Sequence, residues 1–249
     1  MWRWGIGQKI KCTLQTRKIA ITLIDLPLFL KVAIIRLIHR QEIWMLTLQG
    51  WLAICGFIIA LSLFLVTHIH PFLAVNSPIQ ADILVVEGWI PDYAVKNAIA
   101  EFNKGDYQKL ITTGLPLQLG YYLSPYKNAA ELAAATLTVI GFDPNKLVAV
   151  PASNAARNRT SAAATALNQW LKDSDLNVKS INVYTFDAHA RRSWLIFKQA
   201  LAPNIKVGII AGKSTDYNPK KWWISSAGVR SILSETIAYI YARLINWKI

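Results

Sequence analysis

Hydrophobic and polar positions divide the chain into two regions with different periods. Between Glu42 and His68 run 25 consecutive residues without a charged side chain. A helix rising ~1.5 Å per residue crosses a ~30 Å hydrocarbon core in about 20 residues. The segment 45–67 is therefore expected to form a transmembrane helix. A core helix of that length would carry a polar stripe, and a cleaved signal peptide would be shorter and end in a small-x-small site. Upstream, 19–38 is also apolar but is broken by Asp25, Pro27, Lys31 and Arg36. That composition suits an amphipathic helix lying on a membrane surface better than a second span.

From Asp82 the pattern changes to short β-branched runs alternating with alanine-rich stretches. Strands are expected at 83–87, 109–113, 146–151, 180–186 and 206–211, and helices at 92–104, 128–140, 160–172 and 190–201. Nearly continuous apolar strands separated by helices of about a dozen residues indicate a parallel sheet covered on both faces. With right-handed crossovers, the expected fold is α/β, a Rossmann-like three-layer sandwich with a mostly parallel sheet of about five strands, preceded by one transmembrane helix. A last helix, 227–246, brings Val229, Ile232, Leu233, Thr236, Ile237, Ile240 and Leu244 to one face, the spacing of a helix packed on a core. The chain thus reads as a basic tail (1–44), a membrane helix (45–67) and an α/β domain (78–249).

Charge changes the picture by where it sits. The formal net charge of the 249 residues is +13. Eight Lys/Arg against Asp25 and Glu42 put +6 of that in residues 1–45, so no nucleic-acid partner is expected. Basic residues before the span and none in 67–80 place the N-terminus in the cytoplasm and the domain outside, by the positive-inside rule. The chain is expected to cross its membrane once. Cys12 and Cys55 both precede the domain, and His189 is its only histidine. This leaves no disulfide framework and no metal site of thiolates or several histidines; no cofactor is indicated.

Ligands of open parallel sheets bind beyond the carboxyl ends of the strands. Those ends carry Glu87-Gly88, Thr113-Gly114, Arg157-Asn158-Arg159-Thr160, Asp187-Ala188-His189-Ala190-Arg191-Arg192 and Lys213. Arg157 and Arg159 precede one helix and Arg191 and Arg192 begin another. Cations are disfavoured at helix N-termini by ~0.3–1 kcal/mol each, whereas anions bind there. The arginines either hold an anionic ligand, or point into solvent, or pair with Glu87 and Asp187. His189 is a candidate general acid/base or a packing residue, and Glu87 a catalytic carboxylate or an internal salt-bridge partner. Asp187 is a ligand contact or an N-cap. The loop 115–127, with Tyr121, Tyr122 and Tyr126, is a binding loop or one packed down by its rings. Lys220-Lys221-Trp222-Trp223 reads as an interfacial anchor or as part of the ligand rim. Phosphate-loop and dinucleotide motifs are missing, as is a nucleophile elbow.

The order of ADILVVEGW, KLITTG, RNRTSAAATAL and YTFDAHARRS resembles the YdcF/SanA/ElyC-like family of bacterial envelope proteins. His189 and Arg192 match that family's His-x-x-Arg positions. Glu87, Arg159 and Ala163 depart from its usual residues, as in a divergent subfamily. The resemblance implies a Rossmann-like fold, a setting in the plasma (inner) membrane of a bacterium and a link to cell-envelope biogenesis. The expectation is a membrane-anchored envelope protein whose domain binds, and processes, an anionic phosphorylated or lipid-linked glycan precursor. The alternative is a non-catalytic binding or regulatory module for an anionic or nucleotide-like ligand. Glu87 and His189 would be catalytic. Gly88, Thr113, Gly114, Arg157, Arg159, Thr160, Asp187, Arg191 and Arg192 would bind the ligand.

Overall fold

The computed structural model describes residues 46–155 and 157–244; the basic tail and the segment 19–38 lie outside them. The chain divides into two compact units, Met1–Ser62 and Leu63–Ile249. Helix α1 (Leu48–Leu73) begins in the first. Its apolar side chains, Leu52, Phe57 and Ile58 among them, are exposed, and it is long and apolar enough to cross a membrane. The helix continues past the expected end at residue 67, so its last turns, from Leu63, belong to the second unit.

The second unit is a Rossmann-like α/β sandwich. Its elements alternate: β1 (Ile83–Glu87), α2 (Asp92–Lys104), β2 (Lys109–Gly114), α3 (Ala129–Val139), β3 (Leu147–Pro151), α4 (Arg159–Asp173), β4 (Ser180–Phe186), α5 (Ala190–Leu201), β5 (Lys206–Gly212) and α6 (Ser226–Leu244). All five strands are parallel, in the order β3-β2-β1-β4-β5. Period-two alternation distributes each strand between two cores. Leu84, Val86, Leu110 and Tyr184 face α2 and α3, whereas Ile83, Val85, Ile111 and Val183 face α4 and α5. The chain winds outward from β1 through β2 to β3, then crosses back to β4 on the other side of β1. The carboxyl ends of β1 and β4 therefore flank the switch point where such sheets open a crevice.

Two glycines let α3 approach those ends. A Cβ on Gly88 would stand 2.3 Å from the Ala129 carbonyl oxygen, and one on Gly114 would stand 2.7 Å from Ala130 N. Asn128 starts α3, its Oδ1 accepting from Glu131 N at 2.8 Å.

The last helix departs from the expected orientation. Val229 and Ile232 pack in a core cluster as expected, but Leu233, Ile237, Ile240 and Leu244 are exposed, so this part of the apolar stripe read as core faces outward. The inward side is set instead by Glu235 and two small residues, Ala238 and Ala242, that fit against the crevice.

Candidate functional site

The strand pleat that sends Ile83, Val85, Ile111 and Val183 toward α4 and α5 sends three polar residues the same way at the strand ends. These are Glu87, its register partner Thr113 on β2, and Thr185 on β4. All three are buried. Glu87 is 2% exposed, and its Oε2 accepts hydrogen bonds from Thr185 Oγ1 and from Ser193 Oγ, the latter at 2.8 Å. His189 Nε2 stands 3.6 Å from the same oxygen.

His189 links Glu87 to a second carboxylate. Its Nδ1 lies 3.0 Å from Glu235 Oε1. Arg192 reaches Glu235 through Nε at 2.9 Å and Nη2 at 3.1 Å, a two-pronged contact, and its Nη1 donates to Thr160 Oγ1 at 3.3 Å. Arg192 Nη2 also stands 2.8 Å from His189 Nδ1. A guanidinium nitrogen can only donate, so it competes with Glu235 for that ring position. With two carboxylates in the cluster against one guanidinium, the proton belongs on Nδ1, pointing at Glu235.

The electrostatics follow from this. Burial pushes Glu87 upward, but the charge of His189 3.6 Å away, with the hydrogen bonds from Thr185 and Ser193, outweighs it and holds the carboxyl below its ordinary value. Burial opposes a charge on His189, yet Glu87 and Glu235 together raise its pKa against both that and Arg192. Burial likewise works against ionised Glu235, but His189 and Arg192 lower it to about 2. The four groups form an internally neutral cluster when the imidazole is protonated.

A cavity of about 390 Å³ opens beside this cluster, within the size range of small-ligand sites. The strand ends contribute Glu87, Thr113 and Gly114 to its lining. The entry to α4 adds Arg157, Arg159 and Thr160, and His189 and Arg192 complete the opposite wall. Asn158, between the two arginines, has φ +54°, a left-handed turn that asparagine tolerates better than most residues. With the cluster neutral, the exposed Arg157 and Arg159 leave the lining with two positive charges that form no ion pair among the described residues. Among the described residues two buried side-chain polar atoms have no hydrogen-bond partner, Thr113 Oγ1 and His189 Nε2, and both residues line the cavity.

Three predicted ligand residues do other things. Gly88 donates its N–H to Thr113 O at 2.7 Å and gives α3 room. Asp187 does not cap α5; it sits in a 3-10 turn at φ +47°, its carboxylate taking His70 Nε2 at 2.9 Å and Tyr217 OH. Arg191 donates from Nε to Phe72 O and lies 3.9 Å over the Phe72 ring. Its charge thus leaves the unfavourable start of α5 for the favourable C-terminal end of α1. Within one short segment, Asp187 and Arg191 grip the end of α1 while His189 and Arg192 face the cavity. The expected alternative pairing of the arginines with Glu87 and Asp187 is replaced, for Arg192, by Glu235. Lys213 is exposed and does not line the cavity.

Glu235, Ser193 and Tyr241 were not read from the sequence. Glu235 carried a signal, as the lone carboxylate of 227–244. Trp89 stacks edge-on against His189 at 4.8 Å and lines the cavity. In the loop 115–127 only Leu115 reaches the cavity. The loop is tied by Lys127 Nζ, which bonds Tyr121 O and Ser124 O, both at 2.9 Å, while Tyr122 is 93% exposed. Trp222 is buried and donates to Val66 O at 2.9 Å, so it is neither headgroup contact nor ligand rim. Among the described residues no group of three or more His, Cys, Asp or Glu is placed to hold a metal ion. No protein-family model matches the chain, and no curated protein matches it significantly.

Proposed function

We propose that the cavity at the switch point binds an anionic ligand and that His189 is the group that meets it. The observation that carries this reading is the pair of buried polar atoms without a hydrogen bond on two cavity-lining residues, Thr113 Oγ1 and His189 Nε2, the latter with only the 3.6 Å ion-pair contact to Glu87. An unsatisfied buried polar group costs about 1–3 kcal/mol, a cost that a ligand oxygen between the two would relieve. Glu235 fixes the proton on Nδ1 and orients the ring, as second carboxylates do for reactive histidines. Nε2 then serves the ligand, as donor when the ring is charged and as proton acceptor when it is neutral. Arg157 and Arg159 supply the excess positive charge that a phosphate-type group requires, and Arg192 positions Glu235.

Taken with the motif resemblance, this supports a divergent member of the YdcF/SanA/ElyC-like family. In this reading the chain is a membrane-anchored envelope protein acting on a phosphorylated or lipid-linked glycan precursor. A non-catalytic binding module is the second reading, favoured by one observation: Glu87 Oε2 already accepts from Thr185 and Ser193, which suits a carboxylate that positions His189 more than one that moves protons.

Native mass spectrometry of the gently purified full chain tests the proposal. A co-purifying anion that is lost in Arg157→Ala/Arg159→Ala, and in His189→Ala, is the expected result. A wild type free of any such mass, and no binding of added pyrophosphate by wild type, would overturn it. With a ligand in hand, His189→Gln separates the two readings: an enzyme loses turnover of the bound ligand, and a binding module shows no turnover to lose.

A further inference from the structure

A surface helix ordinarily turns its polar side outward. Over its last three turns α6 does the reverse. At ~100° per residue, Leu233, Ile237, Ile240, Tyr241 and Leu244 fall within one face about 100° wide, and all five are at least 47% exposed. The opposite side holds buried Ile232 and Ala242, together with Glu235 on His189 and Arg192. Just before the helix, Trp223 and Ile224 are exposed at 42% and 71%. A contiguous apolar face of this kind on a protein surface marks a contact with another apolar phase.

We propose that this face of α6, with Trp223 and Ile224, rests in the interfacial layer of a lipid bilayer. Two observations select lipid as the occupant. The first is continuity with the candidate span. Leu63, Phe64 and Leu65, exposed residues of α1, belong to the same compact unit as α6. In the next two turns Val66, Ile69 and Leu73 pack in one cluster with Val229, Ile232 and Tyr239 of α6. The Phe72 and Tyr239 rings meet edge-on at 5.5 Å, and Trp222 Nε1 bonds Val66 O. The helix is therefore seated on the very turns by which the chain leaves its apolar segment, one residue beyond Leu65. The second observation is charge. Residues 217–234 contain Lys220, Lys221 and Arg230, all exposed, and no Asp or Glu. Cations beside exposed apolar and indole side chains suit the headgroup zone of an anionic leaflet. Of the two indoles in the Lys-Lys-Trp-Trp run, Trp223 is the one available for it.

The test uses the full chain in nanodiscs of phosphatidylethanolamine and phosphatidylglycerol, in a Cys12→Ser/Cys55→Ser background. Nitroxides are attached singly at Ile224→Cys, Ile237→Cys and Leu244→Cys, with Lys104→Cys and Lys172→Cys as aqueous controls. Collision with oxygen, which concentrates in lipid, is compared with collision with a water-soluble nickel chelate. The expected result is a ratio favouring oxygen at the three α6-region sites and the nickel chelate at both controls. A ratio favouring nickel at Ile237 and Leu244 would show a face in water and sink the proposal. Low access to both reagents would show a protein cover and also overturn it; dipolar broadening between labels then marks a second copy, and its absence another part of the chain. No ligand enters this measurement, so its outcome is independent of the anion-binding reading.

Discussion

Replacing Glu235 with glutamine keeps the side chain's shape and one acceptor oxygen but removes the charge that His189 and Arg192 share. In the folded protein this carboxyl is held at about 2, against an ordinary value of 4.5. At ~1.4 kcal/mol per pH unit, that difference is on the order of 3 kcal/mol of stability at neutral pH. The side chain is 18% exposed, so solvent screening takes only a modest part of it. The sign is that of a depressed carboxylate. The contribution is present above the unfolded value and is lost as pH falls through about 2. Wild type and Glu235→Gln should therefore differ by roughly 3 kcal/mol at pH 7 and by only about 1 kcal/mol at pH 3. Tryptophan fluorescence during denaturant unfolding of the full chain in detergent, repeated across that range, reads both numbers. A difference below about 0.5 kcal/mol at pH 7 is what an unengaged surface substitution gives. That result, or a large difference that does not narrow in acid, would refute the ion-pair account of the cluster.

His189 has a raised folded pKa, so its stabilising contribution is fully present below about 6.5 and is lost as pH rises through its folded value. His189→Gln should flatten the alkaline limb of the same stability profile and shrink the acid limb as well, because the imidazolium helps to hold Glu87 and Glu235 down. Gly88→Ala places a Cβ 2.3 Å from a backbone carbonyl and should cost about 1–3 kcal/mol, measured as a shift in the unfolding midpoint; an unchanged midpoint would mean α3 is not tightly seated. Asp187→Ala leaves His70 and Tyr217 without their shared acceptor and should cost about 1–3 kcal/mol. Limited proteolysis should then cut after the last turn of α1 sooner than in wild type, and equal rates would argue against the clamp. Arg191→Ala should leave pyrophosphate binding near the wild-type level, because its guanidinium lies on Phe72, whereas Arg157→Ala/Arg159→Ala should abolish it; isothermal titration reads both.

Much of this architecture is written locally. Runs such as ILVVE and SINVYTF are too short and too continuously apolar for anything but buried strands, and the intervening helices force them parallel. Once the strands are placed, period two alone puts Glu87 and Thr113 at neighbouring strand ends on one face. The unbroken apolar run before the domain identifies a candidate span by length and composition. What the chain could not disclose locally is which partner each charged side chain takes. Asp187 and Arg191 lie within a few residues of His189 and Arg192, yet the 3-10 turn and the start of α5 aim the first pair at His70 and Phe72 and the second at the cavity. Glu235, 46 residues from His189, enters the cluster only because α6 folds back across α5. The same return explains the misread stripe. Helical spacing shows that Leu233, Ile237, Ile240 and Leu244 share a face, but periodicity carries no direction. The structure supplies the direction: the inward side carries Glu235 with its two cationic partners and the small Ala238 and Ala242, which fit the crevice as the larger side chains of the stripe do not.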